Sequence, residues 1–291
     1  MPLAGRYAPS PTGPLHLGNL RTALLAWLFA RWQGARFVMR VEDLDPGRSH
    51  QHWIEHQLSD LHALGIDWDG EPVRQSERGE LYAQAVERLR ADGLVYECFC
   101  TRAEIREAVT APHGDRGGGY PGTCRDLSAA ERARRRALGR PPALRVRGDG
   151  ERVGFEDRLA GAVEGAVDDL VVRRNDGAFA YNLAVVVDDA AQGIGEVVRG
   201  ADLLDATSGQ LWLAGRLGLK APQSYAHVPI MLGDDGGRLA KRHGAVTMDE
   251  RRAFGETPAD VRARLAASVG LCEPEERPSP AELLERFHGK L

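Results

Sequence analysis

Apolar and polar positions alternate in recognisable periods over the first third of the chain. Residues 5–8 read as a short strand that runs into the Pro/Gly loop PSPTGPLHLG at 9–18. From 19 to 33 the apolar residues fall at helical spacing. Leu20, Ala23, Leu24, Trp27, Leu28 and Ala30 form one wide stripe, and Gly34 sits where a helix C-terminal stop belongs. Residues 36–41, RFVMRV, predict a second strand. Strand, loop, helix, strand is how a parallel, doubly wound sheet begins, so the expected fold is α/β with a Rossmann-type catalytic domain.

Two further helices are predicted at 49–64 and 76–92, with Gly65 and Gly93 at their ends. The pattern then breaks. Residues 96–165 hold three of the four cysteines, the Gly-rich run GDRGGGYPG and a basic helix at 129–138. Thr101 with Glu104 and Ser128 with Glu131 each have capping-box spacing. This stretch reads as a module inserted between a first half of the catalytic domain (1–95) and a second half (166–245). Apolar strands are predicted at 170–173 and 179–187, with Asn175, Asp176 and Gly177 as the turn between them. Strand-like VVRG (197–200) and HVPIML (227–232) follow, and short helices fill 246–291.

With 291 residues, 43% of them hydrophobic, the chain can bury one large α/β core plus small modules. No run approaches the roughly 20 apolar residues that span a bilayer, and the N-terminus lacks an apolar signal core. A cytoplasmic protein without membrane contact is expected, acting as a monomer. The net charge of −4 excludes a globally basic nucleic-acid binder, so any nucleic acid must meet a local patch. The arginines 132, 134, 135, 136, 140, 145 and 147 form the one dense basic region, which serves equally well as a tRNA contact or a solvated face. Lysine is scarce: only Lys220, Lys241 and Lys290 occur.

Two loops carry candidate chemistry. The first delivers His16 to a helix N-terminus, where free N–H groups and the positive dipole end suit phosphate. Gly13 and Gly18 allow close backbone approach. The second, Gly237-Arg-Leu-Ala-Lys241-Arg-His-Gly244, places one of the few lysines in a tight loop, where an ammonium can neutralise charge on a transferring phosphate. Taken singly, each could be an ordinary surface connection. A third cluster, Cys98-Phe-Cys100 with Tyr120-Pro-Gly-Thr-Cys124, suggests metal rather than disulfide, since thiolates bind Zn²⁺ tetrahedrally. Three cysteines need a fourth ligand. His113 and Tyr120 are the candidates, and histidine is the commoner ligand on chemistry alone.

Together the two loops resemble the paired signatures of class I aminoacyl-tRNA synthetases. His16-Leu-Gly-Asn19 stands at the HIGH signature, with Asn19 in place of its final His. Leu239-Ala-Lys-Arg-His243 is similar to the KMSKS loop, with Ala240 in place of Ser. The flanking Arg6-Tyr-Ala-Pro-Ser-Pro-Thr-Gly13, RVEDLD at 40–45 and FAYNLAVVVDDAAQGIGEVVRGADLL at 179–204 are similar to segments of the glutamyl branch. That resemblance implies ATP and L-glutamate as substrates, with Mg²⁺ attending the ATP. It implies Arg6 and Arg199 as carboxylate partners, Glu42 as ammonium partner, and Tyr181, Ala8 and Ser10 as further contacts. It assigns the ATP contacts to His16, Gly18, Asn19 and Lys241, with His16 and Lys241 stabilising charge on the phosphates. It also selects Tyr120 to complete a structural zinc site with Cys98, Cys100 and Cys124.

Only 46 residues follow Ala245, so no anticodon-binding domain is expected. In this the chain resembles a short paralogous branch of the glutamyl enzymes. That branch makes the adenylate without prior tRNA binding and transfers glutamate to queuosine in the anticodon of tRNA(Asp). A minimal enzyme charging the tRNA 3′ end, or a paralogue that binds glutamate or tRNA without catalysis, are the alternatives.

Overall fold

A computed structural model describes residues 4–110, 119–233, 239, 244 and 246–290. The chain opens with β1 (Ala4–Tyr7), α1 (Leu17–Trp32), β2 (Arg36–Val41), α2 (Gln51–Ala63) and β3 (Val73–Arg74). β1 and β3 lie parallel to β2 on either side, with Ala4 opposite Arg36 and Arg40 opposite Val73. α1 starts two residues before its predicted first residue because His16 caps it. The Asn19 N–H donates to His16 Nδ1, and the His16 N–H donates to Asn19 Oδ1, at 3.2 and 3.4 Å. This reciprocal cap satisfies two of the amide donors that a helix start leaves open. α1 lies directly on β1 at Gly5, where a Cβ would come within 2.8 Å of Ala30 Cβ.

A 3₁₀ turn, Gln75–Glu77, leads into α3 (Gly79–Ala91). Then follow β4 (Val95–Cys98), α4 (Arg102–Thr110), α5 (Ala129–Ala137), β5 (Ala143–Val146), β6 (Arg152–Asp157), β7 (Gly161–Ala166) and β8 (Leu170–Arg173). β4, β5 and β8 form a separate antiparallel sheet. Both predicted capping boxes form, at Thr101/Glu104 and Ser128/Glu131. The hairpin β6–β7 adds instead to the edge of the main sheet, where β6 runs parallel to a later strand with Asp157 beside Tyr225.

The turn at Asn175–Gly177 forms, with the Arg174 N–H donating to Ala178 O at 2.8 Å and Arg173 bridging Phe179. The strand expected at 179–187 does not. That segment enters α6 (Tyr181–Gln192), which Gly193 ends in a left-handed conformation at φ 67°. Leu183 to Val187 are all buried, packed with Tyr82 and Leu89 of α3 and with Trp212 and Leu213 of a later helix. A short run that is apolar on every side has no period to separate strand from helix. Its burial between two helices decides the matter here. The remaining elements are β9 (Glu196–Gly200), α7 (Ala206–Arg216), β10 (Ser224–Val228), α8 (Met248–Ala253), α9 (Pro258–Ala267) and α10 (Pro280–Arg286). β10 stops short of the predicted 232, because Pro229 has no N–H to continue a ladder.

β9 runs parallel to β10, and β10 to β6. A parallel bridge between Ala4 and Ile194 joins β1 to the start of β9. The strand order is therefore β3-β2-β1-β9-β10-β6-β7, and chain order reverses between β1 and β9. In such sheets the crevice beyond the carboxyl ends of the strands at the reversal is where ligands sit. α9 and α10 complete the core on the far side of α1, where the Phe287 ring meets Phe29 edge-on at 4.9 Å. Among the described residues no helix is long and apolar enough to cross a membrane.

Candidate active site

A cavity of about 610 Å³ opens at this reversal, beyond the carboxyl ends of β1, β2, β9 and β10. Arg6, Ala8, Ser10, His16, Gly18, Asn19, Glu42, Tyr181 and Arg199 all line it. They come from four separated parts of the sequence, and the sheet order brings them together. The loop after β1 is fixed from beneath by Gln57 of α2, whose amide donates to Ser10 O and Gly13 O at 3.1 and 2.7 Å. The Glu42 N–H donates to Pro9 O at 2.9 Å, tying the end of β2 to the same loop. Because His16 Nδ1 accepts from Asn19, the neutral ring carries its proton on Nε2, a donor at the start of α1. Asn19 itself is occupied with the cap, which accounts for an amide at this position.

The charged residues are buried and few of their groups are spare. Arg6 is 4% exposed and Arg199 5%. Arg6 Nε lies 3.4 Å from Asp189 Oδ1, and Arg6 Nη1 donates to Val198 O at 3.4 Å. Burial pushes the Arg199 guanidinium below its usual range, with Arg6 nearby adding to the effect. Burial pushes the Glu42 carboxyl up, against the pull of Arg40 and Arg6. It likewise pushes up the Tyr181 hydroxyl, which also feels the charge of Glu42. Two cations and an anion around one cavity match a ligand carrying carboxylates and an ammonium.

Beneath the cavity lies a network that sequence reasoning missed. Arg40 is fully buried. It donates to Asp189 Oδ1 at 2.8 Å and Gln192 Oε1 at 2.7 Å, and its Nη2 lies 3.5 Å from Glu42. Asp189 thus holds Arg6 and Arg40 at once. Its burial is outweighed by these cations, so its carboxyl stays below the ordinary range. Asp188 accepts from Gln75, Arg78 and Tyr82 at 2.8, 2.6 and 2.8 Å. The available signal was the pair of carboxylates directly after AVVV, since two acids inside an apolar run require buried partners.

Lys241 lies outside the described residues, as do 234–238, Ala240, Arg242, His243 and Ala245. The flanks of that loop are described. Met231 and Leu239 line the cavity and are joined by a backbone hydrogen bond of 2.9 Å. Beyond the loop, the Leu17 N–H donates to Val246 O at 2.7 Å, and Thr247 bridges His16. One end of the second loop therefore meets the His16 segment, and the other lines the same cavity.

The sulfurs of Cys98, Cys100 and Cys124 lie within 4.8 Å of one another. Cys100 and Cys124 sulfurs are 3.5 Å apart, and Tyr120 Oη is 3.3 Å from Cys98 and 3.8 Å from Cys100. Around a tetrahedral ion with bonds near 2.3 Å to sulfur and 2.0 Å to oxygen, S···S and S···O separations come to about 3.8 and 3.5 Å. The donor set fits such an ion. Arg145 lies over the Tyr120 ring at 3.9 Å, a cation–π contact, while burial and the Cys98 contact push the Tyr120 hydroxyl up. His113 falls outside the described residues. The basic region is largely engaged within the module. Arg136 pairs with Glu97, Arg140 with Glu104, Arg147 with Asp126, and Arg145 donates to Asp169 O.

Fold and site together define the catalytic domain of a class I aminoacyl-tRNA synthetase. Residues 2–266 match the model of the family described as tRNA synthetases class I (E and Q), catalytic domain. The Glutamyl-Q tRNA(Asp) synthetase of Nocardia farcinica is 60% identical, over 98% of this chain and 89% of its own length. The protein of the same name from Symbiobacterium thermophilum is 48% identical, over 98% and 92%. The crystal structure of a glutamate tRNA ligase from Elizabethkingia meningosepticum, in complex with its amino acid, superposes with a TM-score of 0.82 at 28% identity. It is matched by 99% of this chain, which spans only 65% of that structure. The chain belongs to the class I glutamyl and glutaminyl synthetase family and, within it, to the glutamyl-Q tRNA(Asp) synthetases.

Proposed function

We propose that the protein activates L-glutamate with ATP, without prior tRNA binding, and transfers the glutamyl group to queuosine in the anticodon of tRNA(Asp). The observation that carries this reading is the cavity itself. Buried Arg6 and Arg199 and the carboxylate of Glu42 surround it, beside the His16-capped N-terminus of α1. In the first step a glutamate α-carboxylate oxygen bonds to the α-phosphorus of ATP, and the bond to the bridging oxygen breaks. Pyrophosphate leaves with its electron pair, and no proton moves. Catalysis is then positioning and charge stabilisation, supplied by His16, the positive end of the α1 dipole and Lys241, with Mg²⁺ attending the ATP. In the second step a queuosine hydroxyl attacks the adenylate carbonyl carbon, AMP departs and the hydroxyl proton is released. A second cavity of about 1040 Å³ supports room for that nucleotide. It shares Ser10, Thr12, Glu42 and Tyr181 with the first and extends to Cys98–Arg102.

Cys98, Cys100, Tyr120 and Cys124 are proposed to hold one Zn²⁺. Four protein ligands leave no open position, so the ion supplies cross-linking of the insert and no catalysis. A cytoplasmic location fits ATP and tRNA as substrates. The test is glutamate-dependent ATP–pyrophosphate exchange without tRNA, followed by nuclease mapping of radiolabelled glutamate on total tRNA. Label on the anticodon nucleotide is expected. Label on the 3′ adenosine would favour a minimal glutamyl-tRNA synthetase, and no exchange would leave a binding paralogue.

A further inference from the structure

Behind Arg199 a buried polar chain reaches from β6 to the cavity. Asp157, the last residue of β6, accepts from the Leu159 and Ala160 N–H groups at 3.0 and 2.9 Å. It also faces the His227 N–H at 3.1 Å and His227 Nδ1 at 2.6 Å. The side chains of both Asp157 and His227 are 0% exposed. An ionised carboxylate only accepts, so Nδ1 of the imidazole carries a proton. At the other end of the ring, Arg199 Nε lies 3.0 Å from His227 Nε2. A guanidinium only donates, so Nε2 carries none. The polarity is thus set from both ends, and the ring is the neutral Nδ1–H tautomer.

Arg199 is pinned by the same arrangement. Its Nε–H is committed to His227, and its Nη2 donates to Thr207 Oγ1 at 2.8 Å and Leu203 O at 3.3 Å. Of the five guanidinium donors, the two on Nη1 have no protein acceptor among the described residues, and Arg199 lines the cavity. We infer that Asp157 and His227 are positioning residues that lock Arg199 so that it offers only Nη1 to a substrate carboxylate. The inference rests on the glutamate reading above. In the neutral ring, a proton on His227 Nε2 would set two N–H groups against each other. The carboxylate at Asp157 prevents this by selecting the other nitrogen. Neither residue carries a sequence signal, since they stand 70 positions apart on strands whose pairing only the sheet decides.

The test compares Asp157→Asn, His227→Leu and His227→Gln in glutamate-dependent ATP–pyrophosphate exchange. Asp157→Asn retains the side-chain shape but presents an NH₂ either to the ring or to the Leu159 and Ala160 amides. Facing the ring, that NH₂ selects the Nε2–H tautomer. His227→Leu removes the acceptor, and His227→Gln restores an amide oxygen near the former Nε2. Asp157→Asn and His227→Leu are expected to raise KM for glutamate roughly tenfold or more, with KM for ATP within about twofold. His227→Gln is expected to recover most of the loss. Folded variants with unchanged KM for glutamate, or with both KM values raised in parallel, would overturn the inference. If the variants do not fold, ¹⁵N-histidine NMR of the wild-type chain decides. A buried imidazole protonated at Nδ1 and bare at Nε2 near neutral pH is expected, and the opposite tautomer refutes it. A wild-type chain lacking glutamate-dependent exchange would count against the functional reading instead, and the NMR result would then judge the proton arrangement alone.

Discussion

Glu42→Gln separates the demands of binding from those of folding. The carboxylate sits at the end of β2 with its side chain 9% exposed, and its nearest cation, Arg40 Nη2, is 3.5 Å away. If Glu42 receives the substrate ammonium, the change removes one charge-assisted hydrogen bond, of about 1.5–3 kcal/mol. At about 1.4 kcal/mol per factor of ten, KM for glutamate rises roughly 10- to 140-fold. KM for ATP should stay nearly constant, because the residues proposed to meet the phosphates, His16 and Lys241, are left unchanged. Stability should move the other way. Burial outweighs Arg40 and Arg6 and raises this carboxyl's pKa in the folded state. Its contribution to stability is therefore present below the ordinary carboxylate range and is lost as pH rises through the raised value. The uncharged amide of the variant has no such dependence, so its advantage over Glu42 should grow from pH 4 to pH 7. The assays are exchange kinetics with each substrate varied in turn, and urea unfolding at the two pH values. Equal changes in both KM values would refute the pocket assignment. A variant less stable at pH 7 than at pH 4, relative to wild type, would refute the electrostatic argument.

Lys241→Ala should leave the urea midpoint unchanged and lower the exchange rate by about two orders of magnitude or more; full activity would remove the loop from the mechanism. Cys100→Ser should purify without stoichiometric zinc by metal analysis, and retained zinc would break the proposed ligand set. Gly5→Ala should cost about 1–3 kcal/mol in urea unfolding, since its Cβ would lie 2.8 Å from Ala30 Cβ and α1 must lift from β1.

The first βα unit was legible because each signal there is local. The stripe from Leu20 to Ala30 has a helical period, and RFVMRV is a run of strand formers. Even the offset at the start of α1 has a local cause, the reciprocal cap between His16 and Asn19. The misread segment at 179–187 lacked such a signal. Its valines favour a strand, and its burial between α3 and α7 makes it a helix. Candidate residues were found by motif, and motifs list only the groups that touch substrate. Arg40, Asp189 and His227 touch those groups from behind and Asp157 stands one residue further back; only the acid pair after AVVV left a mark in the sequence.

By itself the sequence determined which segments form the core elements of the first half and which side chains bear charge suited to glutamate and phosphate. Periodicity and capping act over a few residues, so they can be read along the chain. Only the tertiary structure decided that β1 meets β9, which brings Arg6, Glu42, Tyr181 and Arg199 around one cavity. It also decided which buried charge answers which, as with Arg40 and Asp189 across 149 positions. Charges in a low-dielectric interior are governed by distance in space, and the order of strands in the sheet sets that distance.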